Sequence, residues 1–314
     1  MDIVNEYVQL NQSFKQQVVF KLGIGGGFFS EYNNMLVSML YCLQHRIQFK
    51  LDSSGANFSF EKGWTDYFKP FCEEILDDNC HYKTVDWRYL VKSILQGRKI
   101  DISKNLLPYF HYNRKMLLTQ DIFGKARSSV AQNRIYDFPS LKICGNFRQA
   151  CGALLKMTWC YNKEVESELE DIIQDLHLPS EYVSLQIRGG DKILEHQLFS
   201  IDRYFEKLES ERVKCRNIFI LTDDYNIFEN CRIKYPNKEF WTLCEKEDRG
   251  YSNSQFVNQS PLVKRRKLIR LFAAIEIMTT SLLFIGTYTA NPGLFLGMRI
   301  PNKAVSIDQE WRIW

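Results

Sequence analysis

Residues 183–192 join a predicted strand to side chains that can bind an anion. Apolar and polar residues alternate over 183–187, which predicts a half-buried strand, and Arg188 follows directly with a Gly-Gly pair that permits a sharp turn. Asp191 and Lys192 add a hydrogen-bond acceptor and a second cation. Open α/β sheets bind ligands at the carboxyl ends of their strands, and a guanidinium there can grip a phosphate through two hydrogen bonds. A charged turn explains these residues equally well, so both interpretations stay open.

Two further groups follow predicted strands. Asp223 and Asp224 come after a strand at 218–222, and their carboxylates either bind a ribose or a base, or cap the next helix. After a strand at 282–286, hydroxyl and amide groups at a helix start either bind a phosphate or serve only as a cap. This last group comprises Thr287, Thr289 and Asn291. Because carboxyl ends of parallel strands share one sheet edge, all are expected to converge with Arg188 on one crevice.

A glycine-rich loop, Gly23 to Gly27, separates a predicted strand at 18–22 from an apolar helical pattern. Backbone amides in such a loop can approach a ligand at a helix amino terminus, which makes Gly25 and Gly26 candidate ligand contacts. Phe28 stands where a dinucleotide-binding GxGxxG motif has its third glycine, and no GK[ST] follows, so neither nucleotide motif is complete. A tight turn from strand to helix is the alternative.

The chain offers few other catalytic groups. It contains no Asp-x-Asp pair, no HExxH and no Gly-x-Ser-x-Gly, so the sequence implies neither a metal nor a serine nucleophile. Glu195 and His196, just beyond the central turn, are the nearest candidates for a general base, and a solvated loop acid is the alternative. The basic run Lys264 to Lys267 is interpreted as a solvated helix face or as a contact for an anionic substrate.

Length and composition exclude several classes of protein. The 314 residues predict two domains, and 45% hydrophobic with 25% charged residues is typical of a globular protein. The net charge of +4 is too small for a dedicated nucleic-acid binder but suits a small anionic ligand. Nine cysteines form no CxxC pair, and neither a signal peptide nor an 18-residue apolar segment occurs. These features predict a cytoplasmic protein with reduced thiols and no integral membrane segment.

Strands and helices alternate along the second half, which predicts the α/β class with a parallel, doubly wound sheet. A break at Leu178-Pro179-Ser180 places the predicted domain boundary between residues 1–178 and 179–314. The polar, aperiodic segment 245–260 is expected to be a mobile loop beside the site. The other predicted elements are strands at 47–51 and 240–243 and helices at 86–97, 121–135, 141–158, 163–176, 201–212, 225–234 and 262–279.

Residues 186–192, Gln-Ile-Arg-Gly-Gly-Asp-Lys, resemble the His-x-Arg-x-x-Asp-Lys motif of the GDP-fucose α-1,6-fucosyltransferases, of both the N-glycan core and the nodulation-factor type. The similarity continues in the family's order and at similar spacing. It includes residues 199–204, 220–224, 234–240 and 284–289, and more weakly the Gly23 to Gly27 loop and residues 63–68.

The resemblance implies a GT-B-like fold, with two Rossmann-type domains facing across a cleft, the acceptor on the first and the GDP-sugar on the second. It implies inverting, metal-independent transfer of L-fucose from GDP-β-L-fucose to a glycan acceptor, with no cofactor besides the donor. Arg188 matches the residue that binds the diphosphate and stabilises the departing GDP, and Glu195 matches the proposed base. The other matched positions line the donor site: Gln186, Gly189, Asp191, Lys192, Tyr204, Asp223, Asp224, Thr287, Thr289, Ala290 and Asn291.

Two positions depart from the family pattern. Gln186 stands where the family usually has histidine, and Ala274 stands where an acid is often found, with Glu276 two residues on. The sequence also lacks the membrane anchor, stalk helices and SH3-like module of the glycan-core enzymes, which fits a soluble, microbial or viral member. The departures leave three alternatives open. They are transfer from another GDP-sugar, a non-catalytic nucleotide- or glycan-binding relative, and an NAD(P)-dependent oxidoreductase built on the glycine-rich loop.

Overall fold

The computed structural model describes residues 2–75, 91–92, 94–97, 116–189 and 199–313. The chain forms two compact units, which divide between Cys160 and Tyr161. Three predicted site residues, Asp191, Lys192 and Glu195, lie outside the described residues. His196 and most of the helix predicted at 86–97 also lie outside them.

The first unit contains a parallel sheet and an antiparallel hairpin. Its elements are α1 (Ile3–Gln12), β1 (Gln16–Lys21), α2 (Phe28–His45), β2 (Ile47–Asp52), β3 (Met116–Leu118), α3 (Thr119–Ala126), α4 (Ser129–Gln132), β4 (Ile135–Phe138), β5 (Ile143–Asn146) and α5 (Phe147–Thr158). The strands β2, β1 and β3 pair in that order, all parallel, while β4 and β5 form the hairpin. The predicted strands at 18–22 and 47–51 are therefore present, and β3 was not predicted.

Residues 63–68, part of the family resemblance, form core structure in the first unit. Trp64 is fully buried and stacks between Tyr32 of α2 and Phe68, with ring centroids 6.0 and 4.4 Å away. The carboxylate of Asp66 accepts hydrogen bonds from four successive backbone amides, those of residues 60–63. This short motif therefore fixes a turn and an aromatic cluster.

The helix predicted at 121–135 is instead two helices, α3 and α4, and the helix predicted at 141–158 starts later than expected because β5 occupies its beginning. Helix α5 begins only at Phe147, where Asn146 accepts the amide of Gln149 and the Gln149 side chain accepts the amide of Asn146. Such a reciprocal cap marks a helix start. Gly145 just before it has φ +129°, a backbone conformation that a helix does not contain.

The second unit is a doubly wound α/β structure. Its elements are α6 (Lys163–Asp175), β6 (Val183–Gln186), α7 (Ile201–Ser210), β7 (Asn217–Leu221), α8 (Tyr225–Lys234), β8 (Glu239–Trp241), α9 (Asn253–Val257), α10 (Pro261–Thr280), β9 (Phe284–Gly286), α11 (Asn291–Arg299) and β10 (Ala304–Ser306). The five strands pair in parallel in the order β10-β9-β6-β7-β8. The chain thus winds outward from β6 in one direction and then from β9 in the other, so the strand order reverses between these two strands.

Strand β6 lies at the centre of this sheet, and every one of its residues is buried. The prediction of a half-buried strand was therefore wrong, because neighbouring strands and helices cover both of its faces. The polar Ser184 is accommodated by a hydrogen bond of 2.8 Å between its hydroxyl and that of Ser281. Val183 and Leu185 are fully buried in the same hydrophobic core as Ile218 and Ile285.

Helix α6 belongs to the second unit, although the predicted domain boundary at 178/179 had placed its residues in the first. Arg265 of α10 pairs with Glu164 at 2.9 Å and with Glu168 at 2.5 Å, and so links the two helices. The linker therefore precedes α6, at the step from Cys160 to Tyr161.

Candidate donor site

Asp223, at the carboxyl end of β7, holds the turn that follows β6. Its Oδ1 accepts the amide of Gly189 at 2.7 Å, and its Oδ2 lies 3.6 Å from Nε of Arg188. Both side chains of the ion pair are mostly but not fully buried. The structure thus brings Arg188, Gly189 and Asp223 together, as the sequence predicted. The Asp223 carboxylate interacts with groups of the protein itself.

Asp224 lies beside Asp223 and has a different role. Its side chain accepts the amide of Asn226 at 2.9 Å and caps helix α8. The capping interpretation of Asp224 therefore describes this structure, since its carboxylate satisfies a backbone donor that the first turn of a helix leaves unpaired.

The segment 245–260 is bonded to the carboxyl end of β7. The amide of Gly250 donates to the Asp223 carbonyl at 2.7 Å, and the amide of Tyr225 donates to the Asp248 carbonyl at 3.0 Å. The amide of Tyr251 donates to Asp223 Oδ2 at 3.0 Å. The expectation that the whole segment is a loop is wrong for residues 253–257, which form α9.

Tyr251 is a site residue that sequence reasoning missed. Its ring lies against the Arg188 guanidinium, with Cζ of Arg188 5.4 Å from the ring centroid. No periodic pattern marks Tyr251, because the contact joins two loops 63 residues apart in the chain. Its position in a polar segment after β8 was the signal available.

The predicted residues after β9 are organised by Asp308, which was also missed. The Asp308 carboxylate accepts the amides of Tyr288 and Thr289 at 2.9 and 3.0 Å and the Thr289 hydroxyl at 2.6 Å. Thr289 therefore directs both of its donors to Asp308. Thr287, Ala290 and Asn291 lie at the same sheet edge, where Ala290 precedes the first turn of α11.

Hydrogen bonding keeps Asp308 ionised. Burial of the carboxyl group favours its neutral form, but hydrogen bonds from the Ser306 and Thr289 hydroxyls and from the Tyr288 and Thr289 amides outweigh this effect. They hold the pKa of Asp308 below its ordinary value of 3.8.

Asp308→Ala should lower the free energy of unfolding by about 2 kcal/mol at pH 7, because it leaves partly buried donors at Tyr288 and Thr289 unpaired. The folded-state pKa of Asp308 is lowered, so its stabilisation is complete above pH 3.8 and is lost as pH falls through the lowered pKa. Urea unfolding at several pH values measures both effects. The control Glu239→Ala removes an exposed carboxylate 3.8 Å from Arg216 and should change stability by less than about 0.5 kcal/mol. Equal effects of the two substitutions would contradict the role of Asp308.

Gln186 ends β6 at the point where the strand order reverses. Its side chain is 97% buried, and no described residue donates a hydrogen bond to its Oε1. A Cβ atom at Gly286 or Gly293 would lie 2.9 or 2.8 Å from this oxygen, so the two glycines make room for it. The side chain of Gln186 therefore lies next to the start of α11.

Gly25 and Gly26, the candidates in the first unit, have their amides engaged by the chain itself. The Glu31 carboxylate accepts the amides of Gly23 and Gly25 at 3.3 Å and that of Gly26 at 2.8 Å. An anionic ligand at this loop would have to displace Glu31. The carboxylate of Glu31, in the first turn of α2, thus holds the loop in place, which weakens the oxidoreductase alternative.

Tyr204, Ala274 and Glu276 lie in the interior or in an ion pair. Burial and the nearby Asp308 raise the pKa of Tyr204, so its hydroxyl stays neutral. Ala274 is fully buried within α10. Glu276 is held by two hydrogen bonds from Arg299, at 2.7 and 2.5 Å, and by one from the Tyr161 hydroxyl at 2.8 Å. Neither position supplies an accessible acid here.

Two features are absent from the part of the chain that the structure describes. No group of three or more His, Cys, Asp or Glu side chains there is placed to hold a metal ion. None of the helices there combines the length and apolar character needed to span a membrane.

Known proteins resemble this chain in a segment of sequence and in fold. Residues 145–260 match the family model described as alpha-(1,6)-fucosyltransferase N- and catalytic domains. No curated protein matches at a significant level.

Three solved structures of NodZ share the fold. NodZ alpha-1,6-fucosyltransferase co-crystallised with GDP has 9% sequence identity and a TM-score of 0.51, with 91% of both chains covered. NodZ soaked with GDP-fucose has 11% identity and a TM-score of 0.52, covering 91% of this chain and 93% of that one. Fucosyltransferase NodZ from Bradyrhizobium has 9% identity and a TM-score of 0.51, covering 91% and 92%.

These comparisons confirm the predicted α/β, GT-B-like fold class. The family match ends at residue 260, so it contains the Arg188 motif and Asp223 but not the segment after β9. Over residues 145–260 the chain resembles the α-1,6-fucosyltransferases, as the motifs predicted.

Proposed function

We propose that this protein is a glycosyltransferase that transfers L-fucose from GDP-β-L-fucose to a hydroxyl group of a glycan. The observation that carries the proposal is the placement of Arg188, which Asp223 holds at the carboxyl edge of a parallel sheet, beside the reversal of strand order. Open α/β sheets bind nucleotides at this position. The family match over the same segment and the GDP-bound NodZ structures support the choice of nucleotide.

The reaction requires charge stabilisation at the diphosphate. Cleavage of the bond between the sugar and the phosphate oxygen leaves positive charge on the sugar ring and negative charge on the departing GDP. The Arg188 guanidinium neutralises the departing charge, and the amino terminus of α11 adds a partial positive charge at the same sheet edge. An acceptor hydroxyl that attacks the opposite face of the sugar inverts the linkage from β to α.

The remaining roles follow the family resemblance and belong to this proposal. Asp191 and Lys192 complete the donor pocket, and Glu195 takes the proton of the acceptor hydroxyl. The second unit binds the donor and the first unit the acceptor glycan. The reaction needs no metal, and free thiols such as Cys42 and Cys231 fit a cytoplasmic protein.

The deciding experiment is a donor screen that measures nucleotide release from GDP-fucose, GDP-mannose and UDP-sugars, with and without EDTA. We expect release of GDP from GDP-fucose in both conditions, and protection of the protein against thermal unfolding by GDP but not by NAD. Loss of GDP affinity in EDTA would contradict metal-independent binding. Release of GDP from GDP-mannose alone would identify mannose, and not fucose, as the transferred sugar. GDP binding without any release would indicate a non-catalytic relative.

A further inference from the structure

Tyr251 contacts Arg188 and lies in the segment 245–260, to which the proposed function assigns no role. The inference drawn from this contact rests on the proposed function. The Arg188 guanidinium lies over the Tyr251 ring at 5.4 Å. The Tyr251 amide donates to Asp223 Oδ2, the oxygen that also lies 3.6 Å from Nε of Arg188. One carboxylate, near Nε, and one aromatic ring thus contact the same guanidinium.

The ring itself is anchored at both ends. The Tyr251 hydroxyl donates to Oδ1 of Asn253 at 3.0 Å, and the ring packs against Phe256 of α9 with centroids 5.9 Å apart. The backbone on its other side is held by the hydrogen bond from Gly250 to the Asp223 carbonyl. Tyr251 is therefore held in place by contacts that do not involve Arg188.

We propose that Tyr251 is a positioning residue that orients Arg188 for the diphosphate of the donor. A guanidinium makes two parallel hydrogen bonds to phosphate only when its plane is correctly oriented, and an arginine side chain has many rotamers. An aromatic face attracts the cation but does not accept hydrogen bonds from its in-plane N–H groups, which a phosphate needs. Tyr251 thus restricts the orientation of Arg188 and leaves the N–H groups of the guanidinium available to the phosphate.

The test compares GDP with inorganic pyrophosphate, which lacks the nucleoside. Calorimetry on the full chain should show that Tyr251→Leu lowers the affinity for both ligands by the same factor, about five- to tenfold, because the ring acts only through Arg188. Tyr251→Phe keeps the aromatic face and should bind both ligands nearly as the wild type does. Weaker GDP binding with unchanged pyrophosphate binding would mean that the ring contacts the nucleoside, and would overturn the proposal.

A double-mutant cycle separates positioning from general damage to the fold. In an Arg188→Ala background, Tyr251→Leu should cause no further loss of affinity for either ligand, since the group that it orients is absent. A further loss of the same size would overturn the proposal. Tyr251→Met gives the same ring-free comparison if the leucine variant melts early. A wild-type protein that binds neither ligand would overturn the proposed function together with this inference.

Discussion

Arg188→Lys should reduce the rate of GDP release from GDP-fucose by about 10²- to 10³-fold while the protein stays folded, because a stabilising donor at the leaving group is lost. Lysine keeps the positive charge, but its ammonium is a point charge that cannot make the paired, coplanar hydrogen bonds of a guanidinium. It also loses the Nε group that faces Asp223 and the guanidinium carbon that lies over the Tyr251 ring. The loss should therefore appear in the rate even at saturating donor.

Arg216→Lys is the matched control for this substitution. Arg216 is 73% exposed and lies 3.8 Å from Glu239 on the surface of the same unit, so its replacement should change neither the rate nor the melting temperature measurably. Circular dichroism and thermal unfolding show whether each variant is folded. A folded Arg188→Lys protein with the turnover of the wild type would remove Arg188 from the mechanism.

The sequence predicted best where local pattern and tertiary position agree. The apolar runs of β7 and β9 have the length and composition of buried parallel strands, and such strands end at one shared edge. The convergence of Arg188, Asp223 and the residues after β9 follows from that rule alone. The alternation of strands and helices predicted a parallel, doubly wound sheet, but it did not predict the strand order.

The same reasoning left the role of a residue open where a partner outside the motif decides it. The Glu31 carboxylate accepts the amides of the glycine-rich loop, and the Asp308 carboxylate accepts the donors of Thr289, and both sets of donors were candidate ligand contacts. A carboxylate from elsewhere in the chain satisfies such donors as well as a phosphate does, and no spacing rule identifies it. Tyr251 was missed for the corresponding reason.

Gly293→Ala should lower the free energy of unfolding by about 3 kcal/mol and weaken GDP binding more than tenfold. A Cβ atom at this position would lie 2.1 Å from the backbone oxygen of Thr287 and 2.8 Å from Gln186 Oε1. The backbone oxygen cannot rotate away as a side chain can, so helix α11 must move outward from β9. That movement separates the amino terminus of the helix from the sheet edge that carries Arg188.

Gly124→Ala provides the comparison for Gly293→Ala. Gly124 lies inside helix α3, where an added Cβ atom meets nothing within 4 Å, so alanine should stabilise the protein by up to about 1 kcal/mol. Opposite signs for the same chemical change would show that close approach, and not the loss of glycine as such, controls the result. Urea unfolding and calorimetric titration with GDP measure both quantities. If the Gly293→Ala protein has the unfolding free energy and the GDP affinity of the wild type, the contact between α11 and β9 does not shape the donor site.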